Sequence, residues 1–351
     1  MVKIAHLTVT VTLSVALPLA LMGQERLQLD TTVRLDLGGT VDLSLVSGKI
    51  RVRGWDLPDA SIHASTENGT LRFDAAPNRL TLRVDQSGQR GANPSGNTSY
   101  DVSVPRGTRL RLNANSGNVT ATGSRGEVSA TTVSAGVDVS GGRRQVAIET
   151  VSGSVRVSQL AGDLRAQSVS GNLRAENVSG RLEAWTVSGT ITLIGVRGND
   201  IHGQTVSGDM LYAGRVATGG TYDFESHSGT IRLTIPRSSG ARFSLETVSG
   251  AVQSDFAVDT GRAGRARKTG RVEFTIGDGR ANVTARTFSG RIVIKGDAAA
   301  TIRTSPVPTI RRDSTSTPRK DSAPVPRKDS AAVSRKDSAP ISRTEPRPQS
   351  S

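Results

Sequence analysis

Three groups of residues in this 351-residue chain have types and spacing that could do chemistry. His202 follows Asp200, and His227 shares a strand-like run with Asp223 and Glu225; imidazole beside carboxylate is the raw material of an acid/base pair or a metal site. Only one histidine is within reach in the second group, and His227 takes a position held by valine at Val187, Val206 and Val248. A solvent-facing corner is therefore the simpler expectation, and neither a metal ligand nor a catalytic residue is assigned. Arg262, Arg265, Arg267, Lys268 and Arg271 form the densest charge cluster of the body and are the candidate binding residues for a polyanion. Arg156 and Arg174, and likewise Arg165 and Glu183, stand eighteen residues apart. The second pair reads as a surface ion pair worth less than ~1 kcal/mol. No carboxylate pair recurs in a shared register, as a glycan-cleaving wall would require.

The elements that must position these residues follow from composition and period. Aromatics make up 3% of the chain, cysteine is absent, and there are 38 glycines. A core of large rings is not expected; small β-branched layers are. Without cysteine, neither disulfides nor thiolate metal sites contribute. Ser-Gly or a close variant recurs every eighteen residues at Ser116, Ser134, Ser152, Ser170 and Ser188, then more loosely at Ser207, Ser228, Ser249 and, after a double-length gap, Ser289. A second turn at Gly126, Gly162, Gly180 and Gly198 divides the repeat into two halves of nine. Each half carries a period-two strand, Val137/Val139 or Val155/Val157 after the Ser-Gly turn and Val146/Ile148 or Leu164/Ala166 before it, so one face of each strand is buried.

The expected fold is therefore all-β: a single-stranded β-helix or β-solenoid of two-walled coils, about ten of them from Pro105 to Lys295, in a rod roughly 50 Å long. Two residues before each turn serine stands a hydroxyl, at Thr132, Thr150, Ser168, Thr186, Thr205, Ser226, Thr247 and Thr287. Stacking would align these into a hydrogen-bonded ladder. The turn glycines Gly117, Gly153, Gly171, Gly180, Gly189, Gly208, Gly229, Gly250 and Gly290 suit a left-handed or bulged corner where a Cβ would clash. Calcium-binding nonapeptide rolls need a recurring aspartate at the turn; only Asp163 and Asp209 follow a turn glycine, so calcium is not expected and no cofactor is assigned.

Residues 1–23 pair Lys3 with an apolar run from Leu7 to Met22 and read as a secretory signal peptide. Sixteen residues interrupted by Pro18 and four hydroxyls fall short of the ~20 that span a bilayer. Residues 24–104 read as an N-terminal β cap with the first strands, 105–297 as the solenoid closed by Arg271 to Lys295, and 298–351 as a disordered basic tail. The tail repeats every eight residues from Arg311, Arg319, Arg327 and Arg335, and is either an electrostatic tether or a solvated spacer. The net charge of +14 divides among Lys3 in residues 1–23, a body, 24–302, with 33 basic against 26 acidic residues, and a tail, 303–351, with 11 against 5.

The order of these signals resembles a bacterial adhesin family of exported β-solenoid domains of unknown function, over roughly 40–297. The resemblance rests on Ser47-Gly48-Lys49-Ile50-Arg51-Val52 followed by Gly54-Trp55-Asp56, on Val104-Pro105 with Ser116-Gly117 after it, on the recurrent Thr-Val-Ser-Gly, and on Gly277 through Ile294 as a last coil. It implies a fold and an adhesive role, and supplies no ligand site. The expected function is an exported, non-catalytic adhesin-like or scaffold module in the periplasm, at the cell surface or outside the cell, whose partner is an anionic envelope polymer or surface glycan. Nucleic acid is not expected, because no aromatics interleave with the cations. A polysaccharide-acting enzyme and a self-assembling filament are the alternatives. If the tail is a tether, deleting 303–351 or raising the salt will strip partners from the protein in pull-downs on envelope fractions; an unchanged set rules the tether out.

Overall fold

The computed structural model describes residues 27–85, 98–256 and 270–297; the expected signal peptide and basic tail lie outside the described residues. Strand follows strand because the apolar residues alternate. The first part contains β1 (Leu27–Arg34), β2 (Thr40–Trp55), β3 (Asp59–Thr66), β4 (Thr70–Ala76), β5 (Arg79–Asp85) and β6 (Thr98–Pro105). Two long strands, β7 (Arg109–Thr122) and β8 (Val128–Gly142), run unbroken through the corner. Then come short pairs: β9 (Val146–Thr150) with β10 (Val155–Leu160), β11 (Leu164–Ser168) with β12 (Leu173–Glu176), β13 (Leu182–Ser188) with β14 (Ile191–Val196), and β15 (Asp200–Ser207) with β16 (Met210–Gly214). The long β17 (Thr221–Pro236) and β18 (Ala241–Ser254), the short β19 (Gly270–Ile276) and the long β20 (Ala281–Asp297) complete the order.

Coils stack in parallel at the register the period demands. Val155 pairs with Val137 on one side and Leu173 on the other, and Leu164 pairs with Val146 and Leu182. Strands before the Ser-Gly corner form wall A, and those after it form wall B. Val119, Val137, Val155, Leu173 and Ile191 all face the interior of wall B, and Val128, Val146, Leu164 and Leu182 that of wall A.

Stacking order departs from chain order at both ends. At the beginning, β2 is itself a coil: Thr40 through Arg53 pair in register with Arg109 through Thr122, matching Ser47-Gly48 to Ser116-Gly117. On the other side of β2 lie β5 and β6, so the chain builds β2, continues outward, and returns to lay β7 on the opposite flank. Antiparallel β4 on wall A, and β3 then β1 on wall B, close this end. The described residues between 27 and 104 thus supply stacked coils as well as a cap. At the far end β20 inserts between β17 and β18, parallel to both, and β19 runs antiparallel on the outer side of β18. The double-length gap after Ser249 is this detour. Of the segment expected to close the stack, Arg271 to Ile276 covers wall A of the last coil, whereas Ala281 to Lys295 is an inner coil.

The corner works differently from a simple hydroxyl ladder. All eight predicted hydroxyls are buried. Only Thr132 and Thr150 bond each other directly, at 2.9 Å. Elsewhere the hydroxyl accepts from the N–H of its own turn glycine, as Thr150 does from Gly153 (3.0 Å) and Ser168 from Gly171 (2.7 Å). It donates instead to the turn-glycine carbonyl of the neighbouring coil: Thr186 to Gly171, Thr205 to Gly189, Ser226 to Gly208 and Thr247 to Gly290, at 3.3–3.5 Å. The glycines are needed mainly for proximity. A Cβ on Gly171 would lie 1.9 Å from the Gly153 carbonyl oxygen, and one on Gly250 would lie 1.7 Å from that of Gly290. Left-handed φ is confined to a few of the predicted turns, among them Gly117 (115°) and Gly229 (145°).

Large rings do enter the core, contrary to the compositional expectation, and they gather where the repeat loosens beyond eighteen residues. Tyr212 packs on Tyr222 and Phe224 with centroids 5.9 and 5.3 Å apart, and Phe243 stacks on Phe274 at 4.7 Å. Gly203 makes room: a Cβ there would meet Met210 Sδ at 2.9 Å and Phe224 at 3.3 Å. The buried phenols keep hydrogen bonds, as burial of a hydroxyl requires. Tyr100 donates to Ser44 O (3.1 Å), Tyr212 to Arg215 O (2.8 Å), and Tyr222 to Gly198 O (2.8 Å) while accepting from Ala217 N–H (2.7 Å).

Replacing Gly171 by valine should cost about 3 kcal/mol or more, because coil spacing must yield to backbone. Gly107→Ala, with open space around its Cβ, should leave the melting temperature unchanged; equal melts for the two variants would refute the contact. Tyr222→Phe leaves a buried donor and acceptor unpaired and should lower the unfolding free energy in urea by about 2 kcal/mol. Burial raises all three phenol pKa values, with the Tyr222 charge adding at Tyr212. The folded protein therefore holds protons that the unfolded chain releases above the ordinary value of 10.0. Stability from these groups is complete below pH 10 and falls as pH rises past it, which pH-resolved melts will show.

Candidate functional site

Outward residues inherit the same register and form columns along each wall. On wall B the columns contain Lys49, Arg51, Arg53, Arg156, Arg174, Arg232, Arg291 and Lys295 against Asp30, Asp101, Asp138, Glu176 and Asp209. Arg156 and Arg174 are direct neighbours. Two like charges side by side are relieved by Asp138, 3.9 Å from Arg156, and by Glu176, which is hydrogen-bonded to Arg174. Small residues at Gly136 and Ser154 leave a trough of about 740 Å³ between Lys49 and Arg51 at one end and Arg174 at the other. Lys49, Arg232, Arg291 and Lys295 have no ion pair among the described residues.

Wall A is close to balance, because one column sets Arg79, Arg109, Arg181 and Arg242 against Glu127, Asp163 and Asp200, while the other two are acidic. Its two central columns hold Arg83, Arg111, Arg165 and Arg286 against Asp42, Glu149, Glu183, Asp223, Glu225 and Glu246. Across β11, β13, β15 and β17 this wall sinks into a hollow of about 280 Å³ around Trp185, bordered by Arg165, Glu183, His202, Gln204, Asp223 and Glu225. Arg165 bonds Glu183 at 3.3 Å, and His202 Nε2 meets Asp200 at 2.8 Å. Asp223 Oδ1 is buried without a hydrogen-bond partner, its nearest cation being Arg286 at 4.0 Å.

The predicted sites fare unequally. Arg262, Arg265, Arg267 and Lys268 lie outside the described residues. Arg271 is exposed on β19, with Nε 2.7 Å from Glu273 Oε1. His227 is exposed at its corner, where it stacks flat on Phe288 at 4.9 Å. The corner valines Val133, Val151, Val169, Val206 and Val248 are exposed on the same edge. Asp163 and Asp209 have structural tasks: each carboxylate accepts a backbone N–H from the next coil, Arg181 at 2.9 Å and Thr230 at 2.8 Å. Among the described residues no group of three or more His, Asp or Glu is placed to hold a metal ion.

Sequence reasoning missed the Trp185 hollow because the eighteen-residue period fails after Ser188. The corner hydroxyl would have found it: counting one residue back from Thr186, Thr205 and Ser226 aligns Trp185, Gln204 and Glu225, which do pair across the coils.

No curated protein matches the chain. Solved structures similar to it include a putative cell adhesion protein from Clostridium sporogenes, at 13% identity over 78% of this chain and 100% of that one with a TM-score of 0.22. A putative adhesin from Bacteroides fragilis matches at 12% identity over 78% and 98%, TM-score 0.29, and a putative lipid binding protein from Parabacteroides distasonis at 10% over 77% and 95%, TM-score 0.30. The Toastrack DUF4097 family description matches residues 78–295, from the strand that flanks β2 through the last residues of the inserted coil. With more than half of its length so matched, the chain belongs to the Toastrack DUF4097 family.

Proposed function

We propose that the protein is an exported, non-catalytic adhesin-like or scaffold module of the cell envelope that binds an anionic envelope or extracellular polymer along wall B. The observation that supports this reading is the basic face itself: the cations from Lys49 to Lys295 outnumber the carboxylates among them, and four of them border the trough. A repeated polymer matches a repeated wall. Neighbouring coils lie ~4.8 Å apart and Arg156 and Arg174 occupy two of them, so a linear polyanion laid along the wall can meet several cations at once, each contact weak and the sum substantial. The arginine columns also suit carboxylate, sulfate or phosphate, since a guanidinium offers paired donors. A role that needs only presentation of a face also fits a stack whose walls are continuous ladders, with antiparallel strands over both walls at one end and over wall A at the other.

Polygalacturonate is a suitable probe. Binding should weaken steeply between low and high salt. The triple substitution Lys49→Ala, Arg156→Ala, Arg174→Ala should weaken it about tenfold or more, roughly 1.4 kcal/mol, with the melting temperature nearly unchanged because these side chains are exposed. Glu246→Gln on wall A should have no such effect. Salt-independent binding, or binding indifferent to the triple substitution, would reject wall B as the site; release of shorter fragments from the polymer would reject the non-catalytic reading.

A further inference from the structure

The Trp185 hollow and the basic face differ in chemistry, and the difference identifies a second ligand. Large side chains in this chain are scarce and mostly spent on the core, where Tyr100, Tyr212, Tyr222, Phe224 and Phe243 are fully buried. Trp185 and Phe288 are spent otherwise. Trp185 stands on the outer face of wall A in a column whose neighbours are Gln167, Gln204 and Glu225, and Phe288 is 51% exposed beneath the His227 ring. Trp185 is half-buried and Phe288 is about half exposed at the corner, so each ring leaves apolar surface open to a ligand beside polar neighbours instead of placing all of it in the core.

The two rings border adjoining hollows. The hollow of about 280 Å³ around Trp185 and a smaller one of about 130 Å³ at His227 and Phe288 share Gln204 and Glu225 as common borders. From the Trp185 coil to the Phe288 coil there are three inter-strand steps, through β15 and β17 to β20, or roughly 14 Å at ~4.8 Å per step. That is the reach of a short linear oligosaccharide.

We propose that this groove binds an uncharged oligosaccharide of about three pyranose rings, with Trp185 and Phe288 as the platforms for its end residues and Gln204 and Glu225 reading the hydroxyls between. A pyranose has a face of C–H bonds and a rim of hydroxyls. It needs an aromatic surface for the first and mixed donors and acceptors for the second. The groove offers both. The Gln204 amide gives and accepts, the Glu225 carboxylate accepts, and Asp223 Oδ1 is a desolvated acceptor to which no group in the described structure donates. Arg165 is already oriented by Glu183 and His202 by Asp200, so little side-chain freedom is lost on binding. Charge excludes acidic sugars: Glu183, Asp223 and Glu225 outnumber Arg165 and Arg286, the reverse of wall B.

The test uses the full chain with maltotriose, cellotriose, N,N′,N″-triacetylchitotriose and, as the acidic counterpart, trigalacturonic acid, read by calorimetry and by tryptophan fluorescence. With only two tryptophans in the chain, Trp55→Phe leaves Trp185 as the sole reporter. At least one neutral trisaccharide should bind saturably, perturb the Trp185 emission, and lose about tenfold or more in affinity in Trp185→Ala and in Phe288→Ala, the loss expected for an aromatic platform. Phe288 is 51% exposed, so Phe288→Ala should melt with the wild type; Trp185 is half-buried, so Trp185→Ala is compared with the wild type at a temperature where both are folded. High salt, and the wall B triple substitution, should leave the neutral ligand's affinity unchanged, which separates this proposal from the polyanion reading. Absence of binding by all three neutral sugars, equal affinity in Trp185→Ala, or preference for trigalacturonic acid would each overturn it.

Discussion

Everything in this stack depends on how closely the turn glycines of adjacent coils approach one another. From Gly48 and Gly117 through Gly171, Gly208 and Gly290, a Cβ on one would fall 1.7–2.3 Å from the backbone carbonyl of the turn beneath it. Hydrogen bonding between coils sets the strand spacing, and the corner must meet that spacing without a side chain in the way. Once it does, the turn carbonyl is near enough to accept from the buried threonine or serine of the next coil. One close approach thus holds the spacing, gives several of the interior hydroxyls an acceptor and fixes the register of both walls.

Register is in turn what makes surface chemistry. Because coils pair residue for residue, any outward position becomes a column, and a modest bias in charge at that position becomes a face. Arg156 and Arg174 are eighteen residues apart in the chain and neighbours in space; Trp185, Gln204 and Glu225 are spaced unevenly in the chain and are neighbours all the same. The stack absorbs uneven spacing by letting residues out at the loops, as between β16 and β17, where the Tyr212, Tyr222 and Phe224 rings widen the core. The same loosening that admits these rings shapes the wall outside them, since Gly203, whose missing Cβ accommodates Phe224, also borders the Trp185 hollow.

Much of the fold was legible in the residues. The period, the two halves, the inward positions from Val119 to Leu193 and the eight buried hydroxyls follow from alternation and from the placement of serine, threonine and glycine. Order at the ends was not. The strands β5 and β6 lie outside β2, and β20 slips between β17 and β18, because a parallel ladder accepts any coil of matching pattern on either free edge. Local pattern specifies that a strand pairs, and the competition among similar edges decides with which. The candidate site suffered from the same gap: its residues come from coils where the period had already lengthened.

The sequence by itself determined the class of structure, since period-two strands closed by glycine corners every nine residues have few ways to bury their apolar face other than by stacking. It also determined the total charge, and nothing in the chain order shows how that charge is distributed in space. Only the tertiary structure separated it into a basic wall B and a nearly balanced wall A with an aromatic hollow bordered by acidic columns. The physical reason is the alternation itself. Successive half-repeats go to opposite walls, so charges intermingled along the chain are sorted by face only when the coils close and stack in register.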